Sequence, residues 1–245
     1  MTAVMPGVLP VLDRIAEPSR ITLPSRSIQD QGDIDACFSC AIASALEARS
    51  PTVPPLSPTF HFHYGSGGEP VEGMTAETAL DTLRQKGIAS QQTHEFPITV
   101  AGIAAAPSAT AEIDAEQRRL KLAPPRGVSD GYVPVYSMPF RSRIRQFLED
   151  GAAVVAMIYT NAAYWRMSAK LNPNDPSQDK LTDADNLSSQ IHVVCILGLI
   201  DTESCFVVQD SHGFTFGRSG QWLLPYEFVD TYLLQSVYGF YSQRG

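Results

Sequence analysis

A cysteine at position 37 stands where a polar loop meets a run of residues with helical spacing. Ile42, Ala45 and Leu46 recur at the interval of a helix face, so a helix beginning at this cysteine is predicted. At a helix N-terminus, the unpaired backbone N–H groups and the positive end of the dipole favour a thiolate. Gln31, a few residues upstream, can offer its side-chain N–H₂ where an oxyanion would form beside the sulfur. This pattern is typical of a cysteine nucleophile with an oxyanion hole.

Two later segments of the chain could supply partners for this sulfur. Residues 190–199 form a β-branched run with His192 near its start, and residues 206–213 form a second run that contains Asp210. A histidine at the mouth of one strand and a carboxylate at the end of its neighbour can hydrogen-bond, which fixes the imidazole tautomer toward the cysteine. The competing interpretation of His192 is a satisfied histidine within a strand. The joint occurrence of cysteine, glutamine, histidine and aspartate in this order favours a nucleophilic site.

The stretch 28–47 resembles the active-site segment of the papain family of cysteine peptidases, where Gln-Gly precedes Cys-Gly-Ser-Cys-Trp and an Ala/Ser-rich helix. Aligned without a gap, Gln31 falls on the oxyanion Gln of that family and Cys37 on its nucleophile. Ile34 replaces the first Cys of the family motif, which normally forms a disulfide. Cys40, one helical turn further on, is interpreted as a small core residue rather than a second nucleophile.

The resemblance continues through the second half, where His192 falls on the family's His-Ala-Val strand and Asp210 on its Asn-Ser-Trp-Gly strand. It implies that His192 is the general base and then the general acid, and that Asp210 orients it. The chain has Asp where the family has Asn, and a carboxylate pairs more strongly with an imidazolium. His212 stands in place of the family's Trp that shields the His–Asn contact from water. We expect His212 to lie at the substrate-binding site, with a surface histidine as the alternative.

A glycine-rich turn, 65–68, follows a segment in which aromatic residues and histidines alternate. In the papain family a Gly-Gly at this point lets an extended substrate backbone approach, and glycine has no Cβ that would block a strand-like ligand. The resemblance therefore implies that Gly67 and Gly68 bind substrate, whereas the competing interpretation is a flexible turn. His61 and His63 in the preceding segment are too few for a metal site, so no metal is expected.

The resemblance also implies an α+β chain with the papain-like two-lobe fold. Its N-terminal lobe is helical and contains the central active-site helix, and its C-terminal lobe is a β-barrel-like antiparallel sheet. The predicted units are an extended leader at 1–27 and a single catalytic domain at 28–245. Within that domain we expect a mainly helical lobe at 28–99, an insertion or mobile segment at 100–130 and a mainly β lobe at 131–245. A leader of this length cannot build the inhibitory pro-segment usual in the family.

Composition excludes several other classes of protein. The chain has 245 residues with 44% apolar content, enough for a full core, and no apolar run is long enough to span a membrane. Its net charge of -8 argues against nucleic-acid binding as the main role. The first residues lack the basic region of a signal peptide, and the four cysteines show no pairing pattern. We expect a cytoplasmic protein, or one exported without a classical signal peptide, in a reducing environment.

These observations predict a cysteine peptidase that hydrolyses peptide bonds through an acyl-enzyme on Cys37. The expected partner is a peptide or protein substrate, and no cofactor is expected. The alternative is an acyltransferase or cyclase, in which an amine or carbanion resolves the same acyl-enzyme, for example on a carrier-bound substrate. A third interpretation is a catalytically degenerate papain fold used for binding, which the intact pair of Cys37 and His192 disfavours.

Because Ile34 replaces the usual half-cystine, we predict that no disulfide is needed for folding. The melting temperature measured by calorimetry should be nearly the same with and without a reductant. A fall of more than about 10 °C on reduction, equivalent to roughly 2 kcal/mol or more for a chain of this size, would contradict the prediction.

Overall fold

The structure, a computed structural model, describes residues 20–24, 27–49, 52–70, 73–95, 97–119, 132–135, 139–167, 180–182 and 185–241. Its helices are α1 Cys37–Arg49, α2 Pro58–Ser66, α3 Ala76–Gln85, α4 Val100–Ala104, α5 Ala109–Gln117, α6 Phe140–Glu149, α7 Ala162–Arg166 and α8 Val229–Tyr232. Its strands are β1 Arg20–Thr22, β2 Tyr132–Val135, β3 Ala153–Tyr159, β4 Ile191–Ile200, β5 Cys205–Gln209, β6 Gln221–Pro225 and β7 Leu233–Phe240. None of the described helices is both long enough and apolar enough to cross a membrane.

Helix α1 lies at the centre of the protein. Its residues are mostly small and apolar, and every one from Phe38 to Ala48 is buried. Ile42 and Leu46 belong to a core that α1 shares with α3 and with one face of the sheet. A helix that is buried all round belongs to the interior of a protein. Its position, and with it the position of Cys37 at its first turn, is therefore set by tertiary packing on several sides.

The strands form one antiparallel sheet in the order β2-β7-β3-β4-β5-β6, and β1 pairs with β4 beyond the end of β3. The path of the sheet has two ends, so the sheet is open. Strand β4 is apolar at successive positions because both of its faces are covered. Val193, Cys195 and Leu197 pack in the core that contains α1, whereas Val194 and Ile196 pack in a second core.

Helix α6 covers this second core. Its apolar residues Phe140, Ile144 and Phe147 recur at helical spacing and pack in the same cluster as Val154 of β3 and Trp222 of β6. Helices α1 to α5 come before strands β2 to β7 along the chain, and the sheet is antiparallel throughout. This mixed architecture confirms the α+β fold class that the sequence predicts.

Part of the predicted leader is a strand of the sheet. Strand β1 pairs with the second half of β4, and the Leu23 N–H donates to the Leu197 carbonyl at 2.8 Å. Gly198 permits this approach, because a Cβ at that position would lie 2.3 Å from the carbonyl oxygen of Ile21. The described part of the leader is therefore integrated into the fold, while residues before Arg20 lie outside the described residues.

The segment 100–130, predicted to be an insertion or mobile, contains the two short helices α4 and α5 in its described part. Ala111 and Ala115 of α5 are fully buried in a cluster with Phe60 of α2 and Ala89. The Asp114 carboxylate accepts a hydrogen bond from the Ser90 N–H at 2.7 Å. The described part of this segment is therefore packed helix, and the remainder lies outside the described residues.

Glu47 is a buried carboxylate that connects the leader with the last turns of α1. It accepts hydrogen bonds from the hydroxyl and the backbone N–H of Ser27, the latter at 3.1 Å. It also accepts from the Leu56 N–H at 2.7 Å, in the loop before α2. Removal of the carboxylate would leave these donors without their acceptor, and the Leu56 N–H among them is buried.

We predict that Glu47→Ala lowers the free energy of unfolding by about 2 to 3 kcal/mol, because the donors that it satisfies lose their acceptor. The quantity is measured by urea denaturation followed by circular dichroism. Glu149→Ala is the matched control, since Glu149 is an exposed partner of Arg145 and should cost less than about 1 kcal/mol. Equal losses in the two variants would refute the prediction.

Candidate active site

Cys37 is the first residue of α1, as the sequence predicts, and its side chain is half-buried. The first helical hydrogen bond runs from the Cys40 N–H to the Ala36 carbonyl at 3.0 Å. The N–H groups before it, including that of Cys37, have no acceptor within the helix. They are free to donate to a group that binds beside the sulfur.

Gln31 is buried and its side chain is held at both ends. Its Nε2 donates to the Ile34 carbonyl at 2.9 Å, and its Oε1 accepts from the Ser211 hydroxyl at 2.5 Å. An amide nitrogen carries two hydrogens, so one of them remains for a further acceptor. The backbone around it is also paired, because the Gln31 N–H donates to the Ser211 carbonyl at 2.8 Å. The loop before Cys37 is thereby joined to the segment that follows β5.

The sheet brings His192 and Asp210 together. His192 is the second residue of β4, and Asp210 directly follows β5, which is antiparallel to β4 with Cys195 opposite Gln209. The start of β4 and the end of β5 therefore lie at the same edge of the sheet. His192 Nε2 is 3.1 Å from Asp210 Oδ1, and both side chains are buried. A carboxylate only accepts, so Nε2 carries a hydrogen and Nδ1 is left for another partner.

Asp210 is surrounded by hydrogen-bond donors. Its Oδ1 accepts at 2.6 to 3.1 Å and its Oδ2 at 2.9 to 3.0 Å. The donors to Oδ1 are His192 Nε2, His212 Nδ1 and the Ser211 N–H, and the donors to Oδ2 are the Tyr164 hydroxyl and Trp222 Nε1. Each oxygen of this buried charge is thus satisfied by the protein without water.

Electrostatics separates the pKa values of this pair. Burial alone would raise the pKa of Asp210, but the charge of His192 and the hydrogen bonds from His192 and His212 hold that pKa well below its ordinary value. Burial also disfavours the imidazolium, but the charge and hydrogen bond of Asp210, together with a hydrogen bond to Cys37, raise the pKa of His192 well above its ordinary value. His192 thus connects the carboxylate with the Cys37 thiol.

His212 covers the contact between His192 and Asp210. Its Nδ1 lies 2.6 Å from Asp210 Oδ1, and its ring centroid is 4.7 Å from that of His192 and 5.2 Å from that of Trp165. Its side chain is 20% exposed, so it is neither a surface residue nor fully enclosed. His212 therefore occupies the space above the pair and adds a hydrogen bond to the carboxylate.

The side chains of His192, Asp210 and His212 also have metal-ligand spacing. One ligand atom from each lies within 4.8 Å of the others, and among the described residues this is the only such group of three or more His, Cys, Asp or Glu side chains. Both imidazoles, however, already donate to Asp210. His61 has a different role, since burial lowers its pKa to about 4 and its ring is bonded to the Ser39 hydroxyl and the Ala79 carbonyl.

The glycine-rich turn ends helix α2, and its predicted role in substrate binding stays a prediction. Gly67 caps the C-terminus of α2 with a φ of 71°, and the Gly68 N–H donates to the His63 carbonyl at 2.7 Å. Both glycines therefore lie at the end of a helix. Glycine is favoured there because the backbone adopts a left-handed conformation. The glycine beside the nucleophile loop is Gly73, where a Cβ would lie 3.1 Å from the Asp35 carbonyl oxygen.

Three residues that the sequence does not indicate contact the carboxylate directly. Ser211, Tyr164 and Trp222 supply donors to Asp210, yet two of them come from segments far from it along the chain. The available signal is that tyrosine and tryptophan, when buried, need a partner for their polar atom. That signal does not identify the partner, which depends on how α7 and β6 pack.

We predict that Asp210→Asn lowers the pKa of His192 by at least about one unit, because the neutral amide removes the attraction that opposes burial. The pKa is raised in the wild type, so its imidazolium persists above the ordinary titration range and is lost only at higher pH. A ¹⁵N NMR titration of the ring nitrogens measures this value. Asp230→Asn, at an exposed site, is the control and should leave the curve unchanged. An unshifted curve in Asp210→Asn would show that the charge of Asp210 does not raise the pKa of His192.

No protein-family model and no curated protein matches the chain. Comparison with solved structures does find similar folds. Xylellain, a cysteine protease from Xylella fastidiosa, has a TM-score of 0.70 at 16% identity, over 98% of this chain and 95% of its own. The Carica candamarcensis cysteine protease CMS1MS2, in complex with E-64, has a TM-score of 0.64 at 14% identity, over 93% and 100%. Digestive procathepsin L 3 of Tenebrio molitor larval midgut has a TM-score of 0.62 at 14% identity, over 94% and 73%. The chain therefore has the two-lobe fold of the papain-like cysteine proteases.

Proposed function

We propose that the protein is a cysteine peptidase that acts through an acyl-enzyme on Cys37. The observation that carries the proposal is the position of His192, whose ring is hydrogen-bonded to Asp210 and interacts with the Cys37 side chain. Such a histidine can take the thiol proton and later return it. The alternatives of acyl transfer and of binding alone have no observation of their own in their favour.

In the proposed reaction, the Cys37 sulfur attacks the carbonyl carbon of the peptide bond and the carbonyl electrons move onto oxygen. The remaining Nε2 hydrogen of Gln31 and the backbone N–H of Cys37 stabilise this oxyanion. The His192 imidazolium then protonates the leaving amine, and the C–N bond breaks to leave a thioester. Water, deprotonated by His192, attacks the thioester and releases the carboxylic acid and the free thiol.

We infer that an extended peptide runs past Gly73 to reach Cys37. Gly73 lies against the Asp35 carbonyl, two residues before the nucleophile, and its lack of a side chain leaves the backbone accessible. On this proposal the substrate backbone lies beside Gly73, while a role for Gly67 and Gly68 remains an expectation from the resemblance alone. Asp33 and Asp35 on the same loop are exposed.

We predict that Cys37→Ala abolishes turnover, with a loss of at least about a thousandfold in kcat, because the covalent intermediate cannot form. Folding should be intact, since a small side chain is tolerated at the first helical position. Cys40→Ala is the matched control one turn further along α1 and should keep most of the activity. An inactive Cys40 variant beside an active Cys37 variant would show that the nucleophile is misassigned.

An irreversible epoxide inhibitor and a peptide library together separate the possible functions. Mass spectrometry reads the inhibitor adduct on Cys37 and any cleaved peptides. An adduct together with cleavage supports the peptidase, and an adduct without cleavage but with transfer to an added amine would indicate an acyltransferase. If neither adduct nor cleavage appears in the correctly folded protein, the proposed nucleophilic chemistry is wrong.

A further inference from the structure

The first turn of α1 carries two cysteines at the spacing Cys-x-x-Cys, since Cys37 is followed by Phe38, Ser39 and Cys40. Only Cys37 has a role in the proposed peptidase reaction. Both thiols are free, and they differ sharply in exposure, because Cys37 is half-buried while Cys40 is 1% exposed. A small oxidant in solution can therefore reach Cys37, whereas Cys40 is shielded from it.

The helical spacing brings the two sulfurs within reach of each other. Residues three apart on a helix have Cβ atoms about 5–6 Å apart, whereas a disulfide needs about 3.5–4.5 Å between Cβ atoms and about 4.4–6.8 Å between Cα atoms. The turn must tighten to close that gap. One helical hydrogen bond, from the Cys40 N–H to the Ala36 carbonyl, spans both cysteines, and the preceding N–H groups have no helical acceptor to lose.

Cys40 lies outside the two cores that bury the sheet. It packs in a small cluster with Ala36, Phe62 and Ile103. Burial, followed by the charge of Cys37, raises the pKa of the Cys40 thiol well above its ordinary value. Cys40 is therefore unreactive by itself and suited to react only after Cys37 has been oxidised.

We propose that Cys37 and Cys40 form a reversible disulfide when the protein meets hydrogen peroxide, a two-electron oxidant. The Cys37 thiolate attacks one peroxide oxygen, the O–O bond breaks with loss of hydroxide, and Cys37 becomes a sulfenic acid. The Cys40 sulfur then attacks the Cys37 sulfur, the S–O bond breaks, and the departing hydroxyl group takes the Cys40 proton and leaves as water. In total two thiols and one peroxide give one disulfide and two waters. A dithiol reductant reverses the step by thiol–disulfide exchange.

The consequence is protection of the nucleophile. A sulfenic acid without a neighbouring thiol is oxidised further to sulfinic and sulfonic acids, which ordinary dithiols do not reduce. A disulfide with Cys40 stops that progression at a stage that a dithiol can reverse. The inference depends on Cys37 as the reactive thiol of the proposed function, but it does not depend on what the acyl-enzyme reacts with.

The test is oxidation of the purified, fully reduced protein with a small excess of hydrogen peroxide, followed by quenching and tryptic digestion. Trypsin releases residues 27–49 as one peptide, which contains Cys37 and Cys40 and no other cysteine. We expect this peptide to be lighter by about 2 Da, the mass of two hydrogens, and to regain its mass after dithiothreitol. Activity in the oxidised wild type should be lost and then return to at least about 90% of its starting value with dithiothreitol.

In Cys40→Ala the same treatment should add oxygen to the peptide, and less than about 10% of the activity should return with dithiothreitol. Cys40→Ser is a second variant in case the alanine disturbs packing, and the melting temperature of each reduced variant confirms that it is folded. Cys195→Ala removes a different buried thiol and should recover like the wild type. The proposal is overturned if the oxidised wild-type peptide carries only added oxygen, or if both Cys40 variants recover as fully as the wild type.

The mass of the 27–49 peptide keeps this test independent of the proposed function. If the reduced protein cleaves no peptide but forms the disulfide on treatment with peroxide, the peptidase proposal fails and the disulfide proposal stands. If the reduced protein is an active peptidase and peroxide forms no disulfide, the peptidase proposal stands and the disulfide proposal fails.

Discussion

A carboxylate that is removed from water must be satisfied by the protein itself, and Asp210 is such a group at the centre of the candidate site. Its oxygens accept from two imidazoles, a phenol, an indole and a backbone N–H. These donors come from β4, α7, β6 and the segment after β5. The carboxylate therefore fixes four parts of the C-terminal half relative to one another, and the ring of His192 is oriented as a result. An unpaired charge at this depth would cost far more than any one of these contacts.

Two departures from the papain pattern meet at this carboxylate. The family has an amide where this chain has Asp210, and it has a tryptophan where this chain has His212. An amide nitrogen in place of Oδ2 would face the Trp222 N–H, and a donor cannot pair with a donor. The Trp222 contact therefore requires an acceptor, and the His212 N–H supplies an additional donor for the extra charge. The two substitutions are physically complementary, which neither position indicates alone.

The sequence predicts those parts of the molecule whose signals are local. The helix beginning at Cys37 follows from spacing, and the ends of β4 and β5 follow from apolar runs, so the meeting of His192 with Asp210 was predictable. The approach of Gly73 to Asp35 was not predictable, because it arises only through tertiary packing. Strand β1 was also missed, since three residues carry too little periodicity to indicate a strand.

The central helix is held at both ends, and this explains how a cysteine on one layer stays aligned with a histidine on another. At its N-terminus, the loop containing Gln31 pairs with the segment that carries Ser211, directly beside Asp210. At its other end, Glu47 is bonded to Ser27, which follows the strand paired with β4. Rotation or sliding of α1 would break contacts at both ends and displace small side chains that are buried all round. The distance from the thiol to the imidazole is therefore determined by the leader and the sheet together, and not by the helix alone.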